Sequence, residues 1–477
     1  APGYAGNQVI CSAETLDAGT NAPYLITKYC NKSTFYISGY KRRVSFVMAA
    51  DTDYNMSDYG NGYQGISARY VSNALNGGNN DRVIPWVTTF DGKQSTLEVK
   101  RSTLEYELDE FVTVSSGGLY NLIQLDMKEM PDQDAYALSN LTIKDSEIFI
   151  SYYNADGKET TGGNTAVGVG GFAGNNARNL SVNENNASAT FKNVTIINSK
   201  FHSSGGAGGL MGNAGISNGD HNLNTLYGSG DNRLGINLID CSYSKLDIYG
   251  EYAAGGFVGY ICNNSQNNDK VKSSVLVKNM TENIVGADSK IVAGSRYSDS
   301  YAAGIFGYVK TRLEINNITE QNVSISSTGN KGAAGGLIGK QENAFNITSA
   351  LYVGTEKKYA TISIKQVDSN WNENVIIGGI VGDTAISQDK TGTIQKCGVK
   401  YVTLTEEKVS GKIGGIIGYV EKGKECVVEQ CKIEHFNANG NWTGGIVGST
   451  NAVTTITGCE VLGENTTNQI DLQGVYS

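Results

Sequence analysis

A five-residue phrase of two glycines, two apolar residues and a third glycine returns eight times, and no other feature restricts the fold of this chain so much. The copies are Gly170-Gly171-Phe172-Ala173-Gly174, Gly208-Gly209-Leu210-Met211-Gly212, Gly255-Gly256-Phe257-Val258-Gly259, Ala303-Gly304-Ile305-Phe306-Gly307, Gly335-Gly336-Leu337-Ile338-Gly339, Gly378-Gly379-Ile380-Val381-Gly382, Gly414-Gly415-Ile416-Ile417-Gly418 and Gly444-Gly445-Ile446-Val447-Gly448. Their last glycines are separated by 38, 47, 48, 32, 43, 36 and 30 residues. One such phrase would mean little, but eight mark a repeat protein.

Between the copies run β-branched stretches with two-residue alternation, such as 189–198, 313–319, 360–367, 393–399 and 426–433. Alternation of this kind describes strands with one face inward and one in water. Helical periodicity and proline are both missing from residues 136–477, so each repeat reads as strand, turn, strand, glycine corner. A unit this small cannot bury its own apolar face. Neighbours must stack on it, and the expected product is an all-β, right-handed parallel β-helix or solenoid with one continuous core. The glycines are expected to supply positive φ and to let one corner lie against the next without a Cβ, while the two apolar residues point inward. Surplus residues such as 217–234 and 283–300 are expected to loop out.

Residues 1–135 read differently and are expected to form an N-terminal cap, with 136–477 the solenoid. All four prolines lie in this first part, with Lys41-Arg42-Arg43 and Trp86. Residues 65–75 suit a short helix ended by Asn76-Gly77-Gly78. Such a segment would cover the end of the stack and prevent edge pairing. At the other end, residues 468–477 begin another alternating strand, which suggests a longer chain or an end that docks head-to-tail on a second copy or another surface protein.

The glycine phrase resembles the GLUG motif, a short repeat of β-helical bacterial surface proteins and of immunoglobulin A1 metallopeptidases. The resemblance covers about two thirds of the chain. Upstream, Phe90-Asp91-Gly92-Lys93 is similar to the segment that often precedes such repeats, with Lys93-Gln94 where a second glycine is usual, and Gly117-Gly118-Leu119-Tyr120 looks like a degenerate first copy. The resemblance implies a β-helical surface or adhesin-like protein. Protease activity is not implied, because the only histidines are His202, His221 and His435 and no His-Glu-x-x-His occurs.

Composition narrows the partners. With a net charge of -9 and no basic run longer than Lys41-Arg42-Arg43, the chain lacks the electrostatic footprint that nucleic acid demands. The longest apolar stretches, such as 375–381, fall far short of the roughly 20 residues of a membrane span. The opening Ala1-Pro2-Gly3 fits a removed secretory signal, though a trimmed chain would look the same. Eight cysteines, at Cys11, Cys30, Cys241, Cys262, Cys397, Cys426, Cys431 and Cys459, favour disulfides over buried free thiols. Cys11 with Cys30 and Cys241 with Cys262 would close short loops, while the last four allow three connectivities. Thirteen Asn-x-Ser/Thr sequons stand at Asn31, Asn55, Asn140, Asn179, Asn186, Asn193, Asn263, Asn279, Asn317, Asn322, Asn346, Asn441 and Asn465. Glycan acceptors and turn residues are equally good readings of them.

Candidate chemistry is sparse. Asp51, Asp53, Asn55 and Asp58 alternate as in a calcium loop, but Met56 replaces the turn glycine and the closing Glu is missing, so a polar turn is preferred. No histidine has a second within helical reach, and Gly215-Ile216-Ser217-Asn218-Gly219 opens a polar loop rather than a nucleophile elbow. Asp240 and Asp247 are one candidate carboxylate pair for glycosidic chemistry, with solvated strand charges the plainer reading. Tyr243, Tyr249, Tyr252, Tyr260 and Tyr297 suit either sugar stacking or simple strand packing. No catalytic residue, metal or cofactor is expected. The favoured function is a secreted or surface stalk, adhesin or fibre subunit, possible glycan contact included; the alternatives are a polysaccharide lyase or glycosidase on the same scaffold, and a ligand-binding fragment of a larger surface protein.

Overall fold

A computed structural model describes residues 4–5, 8–11, 45–48, 50–51, 53–56, 89–104, 115–124, 136–151, 167–177, 188–214, 235–261, 274–281, 283–294, 299–329, 331–365, 375–387, 389–407, 411–439 and 442–462. Apart from a 3-10 residue at Met56, every helix or strand assigned among them is a β-strand. The expected helix at 65–75, the basic cluster, Trp86, Ser217, His221, Tyr297, the 217–234 loop and the 468–477 strand all lie outside the described residues.

The strands form three sheets, of 26, 9 and 9 strands. Residues 235–261 show the plan of one repeat. Gly235–Ile239, Ser242–Ser244 and Asp247–Gly250 join the large sheet, Ala253–Gly255 the first narrow sheet and Val258–Ile261 the second. Each pairs in parallel with its counterpart one repeat ahead: Ile236 beside Val275, Tyr243 beside Gly286, Ile248 beside Ile291, Ala254 beside Ala302 and Val258 beside Phe306. Apart from Tyr4–Ala5 against Gln8–Cys11, all pairings among the described residues are parallel. Gly117-Gly118-Leu119-Tyr120 is a ninth copy of the phrase, with Gly117 beside Gly170 and Tyr120 beside Ala173. The large sheet continues across residue 135, where Thr96 and Leu97 lie beside Thr142 and Ile143. Residues 283–300 do not loop out as a unit: Ile284–Ala287 and Lys290–Gly294 are strands paired with 319–321 and 324–328.

Within the large sheet the repeats bend twice, and in most of them both bends use left-handed backbone. Asn140, Asn193, Asp240, Asn317, Ser349, Lys396, Gln430 and Gly458 hold the first bend at φ between 50° and 63°. Asp145, Asn198, Lys245, Asp288, Asn322, Tyr401 and His435 hold the second, at 46° to 54°. The phrase glycines were expected to supply positive φ, but none of those described does so. Asn and Asp fill most of these sites because their short side chains tolerate the left-handed region. They also bond up the stack: Asn193 Nδ2 donates to Asn140 Oδ1 (2.9 Å), Asn140 to Asp91 (3.1 Å), Asn198 to Asp145 (2.6 Å), Asn317 to Asn283 (3.1 Å) and Asn322 to Asp288 (3.3 Å). Four sequons, at Asn140, Asn193, Asn317 and Asn322, are therefore bend residues whose amide nitrogens are engaged. Asn279 is buried, whereas Asn55 and Asn346 are exposed in strands; the remaining six sequons lie outside the described residues.

The phrase makes the third bend, between the two narrow sheets, and each glycine has its own steric reason. A Cβ on the second glycine would strike the backbone of the next repeat: on Gly336 it would lie 2.1 Å from Gly379 O and 2.7 Å from the Tyr352 ring. A Cβ on the last glycine would meet the facing narrow sheet, as on Gly212, 2.2 Å from Val169 N. The two sheets thus touch backbone to backbone. The apolar pair points inward as expected; Phe172, Leu210, Phe257, Ile305, Leu337 and Ile380 are all fully buried.

One apolar core runs from Met48 to Val447, and the described cysteines are part of it or packed on it. Cys241, Cys397, Cys426 and Cys431 are buried free thiols and Cys459 is a half-buried one. The expected disulfides are absent at these five positions: the Cys241–Cys262 pair and the pairs among the last four are not made. The physical reason is placement. Cys397, Cys431 and Cys459 each follow a first bend, at the inward position that Val194, Ile318 and Ala350 fill in other repeats, so they serve as small hydrophobes. Cys30 and Cys262 lie outside the described residues, as does the side chain of Cys11. Burial pushes the Cys241 and Cys426 thiols up to about 12, and reactivity requires thiolate. Native-state alkylation with peptide mass mapping is therefore expected to leave Cys241 and Cys426 unlabelled until the chain is denatured. Labelling of either at the rate of an exposed thiol would contradict this packing.

Candidate functional site

The residue that follows each glycine phrase builds a column along the second narrow sheet. In register these residues are Asn175, Asn213, Tyr260, Tyr308, Lys340, Asp383, Tyr419 and Ser449. They face the first narrow sheet, whose opposing positions are small in the early repeats: a Cβ on Gly168 or Gly206 would fall about 2 Å from the Asn175 or Asn213 amide oxygen. There the asparagines form a buried ladder, Asn213 Nδ2 donating to Asn175 Oδ1 at 3.0 Å and to Val167 O at 2.9 Å.

From Tyr260 onward the column becomes aromatic and charged. Tyr260, Tyr301, Tyr308 and Tyr419 belong to a second, smaller buried cluster, against which Tyr252 packs. Tyr301 and Tyr308 rings lie 4.6 Å apart, and Tyr260 and Tyr308 rings 5.1 Å. Lysines cover the rings: Lys340 Nζ stands 5.6 Å from the Tyr301 centroid and Lys412 Nζ 3.2 Å from that of Tyr419. Cation–π contacts of this kind gain strength when water is excluded. Lys340 Nζ is 3.2 Å from Asp383 Oδ2 and 3.9 Å from Glu421 Oε2. The Asp383 side chain is only 5% exposed and that of Lys340 15%, while Asp383 Oδ1 has no hydrogen-bond partner among the described residues. Burial lifts the Asp383 carboxyl to about 6 against the pull of Lys340.

A second buried carboxylate lies in the main core. Glu320 is fully buried, with Oε2 2.5 Å from the Tyr243 hydroxyl, which is also 2.7 Å from Gly304 O. Gly286, between Tyr243 and Glu320 in the stack, leaves room for both; a Cβ there would lie 2.0 Å from Glu320 Oε2. Tyr352 follows Glu320 in the same column.

The sequence candidates are dispersed. Asp240 Oδ1 accepts from Met280 N (2.6 Å) and Thr281 N (2.9 Å), closing a turn. Asp247 sits after the second bend, 3.7 Å from His202 Nε2, so the two aspartates serve different bends and do not form a pair. Burial lowers the His202 pKa, and its ring packs edge-on against Phe149. His435 stacks on Tyr401 at 4.5 Å. Asp53 accepts from Thr96 Oγ1 and pairs with Lys144 at 3.4 Å, and Met56 is in the core; of the polar turn preferred from sequence only Asp51 lies in a turn, whereas Asp53–Asn55 is a strand paired with 96–98, and Asp58 lies outside the described residues. No group of three or more His, Cys, Asp or Glu able to hold a metal occurs among the described residues. Tyr243 and Tyr260 are buried, which removes them as sugar platforms. A surface groove of about 480 Å³ crosses five repeats at the second bend and is lined by Lys200, Lys245, Lys290, Lys358, Asp247 and Tyr359, among others.

Lys340, Asp383 and Glu320 escaped the sequence reading. The first two carried a signal, since each immediately follows a phrase, in consecutive copies. Glu320 carried none: its burial depends on Gly286 in the preceding repeat and Tyr243 in the one before. Compared with known protein families, curated proteins and solved structures, the chain gives no match.

Proposed function

We propose that this chain is a right-handed parallel β-solenoid of the GLUG-repeat kind, acting outside the cell as a stalk, adhesin or fibre subunit rather than as an enzyme. The observation that carries this reading is the continuous parallel pairing: from Gln8 to Leu462 successive described strands of the large sheet find parallel partners, with register shifts at 91–95 and 284–286. Such a stack resists extension along its axis because every repeat is held by ladders of backbone hydrogen bonds. Nine strands per narrow sheet at a spacing of about 4.8 Å give a stack of about 40 Å, so a fibre role requires copies to join end to end. Among the described residues the strands 442–444, 447–450, 454–457 and 460–462 pair on one side only, and a second copy or another surface protein would extend them. The lysine-lined groove is the surface best suited to touch glycans, its cations and Tyr359 offering both charge and a ring face. No helix among the described residues is long and apolar enough to cross a membrane.

Electron microscopy of the purified chain tests the reading. Rods that lengthen with concentration, and no release of reducing sugar from offered polysaccharides, are the expected results. A compact particle at every concentration that cleaves a glycan would reverse it.

A further inference from the structure

Lys340 and Asp383 occupy opposed positions on adjacent parallel strands of the second narrow sheet. Their side chains meet between two sheets whose backbones are in contact, under the rings of Tyr301 and Tyr308. The Lys340 nitrogen and a carboxyl oxygen of Asp383 stand 3.2 Å apart, so amine and carboxyl group are held as neighbours by two paired strands. Asp383 Oδ1 has no hydrogen-bond partner among the described residues, so the carboxylate is held through Oδ2 and Lys340. A third group, the partly exposed Glu421 carboxylate, reaches the same nitrogen at 3.9 Å.

We propose that Lys340 and Asp383 condense spontaneously to an intramolecular isopeptide bond, with Glu421 as the proton carrier. The step balances without any co-reactant. One proton of the Lys340 ammonium passes to the Asp383 carboxylate, giving a neutral amine and a neutral acid; burial favours this exchange at both groups, while the carboxylates of Asp383, Glu342 and Glu421 around the ammonium raise the Lys340 pKa and oppose it. Nζ attacks Cγ and a C–N bond forms. Glu421 takes a second proton from Nζ and delivers it to the departing hydroxyl, the C–O bond breaks, and one water leaves. An ammonium and a carboxylate have become an amide and water, and Glu421 ends as it began.

Water exclusion is what separates this pair from other ion pairs of the chain. Lys144–Asp53, at 3.4 Å, and Lys93–Asp91, at 3.1 Å, are just as close, but their side chains are 37% and 75%, and 49% and 29%, exposed. In water the amine stays protonated and the acid ionised, and condensation is opposed by the solvent. The product would tie two consecutive repeats covalently across a 43-residue span, the difference between positions 340 and 383.

Intact-mass spectrometry of the full chain decides the matter. The expected mass is one water below that of the sequence, and a proteolytic digest is expected to yield one branched peptide joining the segments of Lys340 and Asp383, with no cleavage after Lys340. Lys340→Arg keeps the cation and is expected to restore the full mass with unchanged circular dichroism. Glu421→Gln is expected to slow bond formation at least tenfold in freshly made protein. Full mass for the unaltered chain after prolonged incubation would overturn the bond. Bond formation at an unchanged rate in Glu421→Gln would overturn the role given to Glu421, and a branch at Lys144 or Lys93 would overturn the part given to burial.

Discussion

Glu320→Gln stabilises the chain at neutral and alkaline pH, and most of its stability loss with rising pH disappears. Burial lifts the Glu320 carboxyl to about 8, against the opposing hydrogen bond from Tyr243. Local geometry agrees. The Tyr243 hydroxyl has one proton but two acceptors in range, Gly304 O at 2.7 Å and Glu320 Oε2 at 2.5 Å. Both contacts are satisfied only when Glu320 carries a proton and donates it to Tyr243 while Tyr243 donates to Gly304. The folded pKa lies above the unfolded value of about 4.3 to 4.5, so the folded chain binds more protons between there and pH 8. Stability is full below the unfolded pKa and is lost as pH rises through the folded one. At about 1.4 kcal/mol per pKa unit this amounts to about 5 kcal/mol. Glutamine offers an N–H in place of the acid O–H and has no charge to bury. Urea midpoints at pH 5 and pH 9 are the measurement; equal pH dependence in the two proteins would mean that Glu320 is ionised in the fold.

The second large effect belongs to Gly336→Val. The Cβ position lies 2.1 Å from Gly379 O in the next repeat and against the Tyr352 ring, so neither side can yield without parting the two repeats. Overpacking costs typically 1–3 kcal/mol and more where backbone must move; about 4 kcal/mol or failure to fold is expected here. Gly294→Ala, at the end of the strand Lys290–Gly294, is the control. A Cβ there would come no nearer than 3.3 Å to its neighbours, all of them atoms of the Tyr249 side chain. A side-chain ring can shift by a few tenths of an ångström where backbone cannot, so Gly294→Ala is expected to cost well under half as much in a denaturant titration. Equal costs for the two variants would mean that the backbone contact at Gly336 does not set the penalty.

The repeat was legible because its constraint is local: a phrase that must be glycine wherever two backbones touch leaves a mark at every copy. The parallel pairing followed from the alternation around it, and the degenerate copy at Gly117 was visible for the same reason. The two bends of the large sheet were harder to see. Left-handed backbone was assigned to glycine, yet Lys245, Tyr401 and His435 adopt it too, because stacked neighbours enforce a conformation that local preference only weakly opposes. Cysteine parity pointed to disulfides, but five of the eight thiols are unpaired, since packing volume rather than oxidation explains their positions. The Lys340–Asp383 pair is separated by 43 positions, and only aligning each phrase with the next brings the two together. Sequons have a related cause: Asn140, Asn193, Asn317 and Asn322, read from sequence as acceptors or turn residues alike, recur because a bend residue and its two followers satisfy the acceptor pattern.

The column of Tyr243, Gly286, Glu320 and Tyr352 has a bearing on how the chain finds its order. Nine nearly interchangeable glycine bends invite threading errors, in which a repeat pairs with its second neighbour and leaves the intervening one expelled. Sliding Tyr243 directly onto Glu320 would omit the empty volume that Gly286 provides, and placing an apolar residue opposite Glu320 would strand its carboxyl without the tyrosine hydroxyl. Only one sequence of neighbours fits, so a handful of unlike side chains in the interior acts as an assembly key for an otherwise monotonous stack.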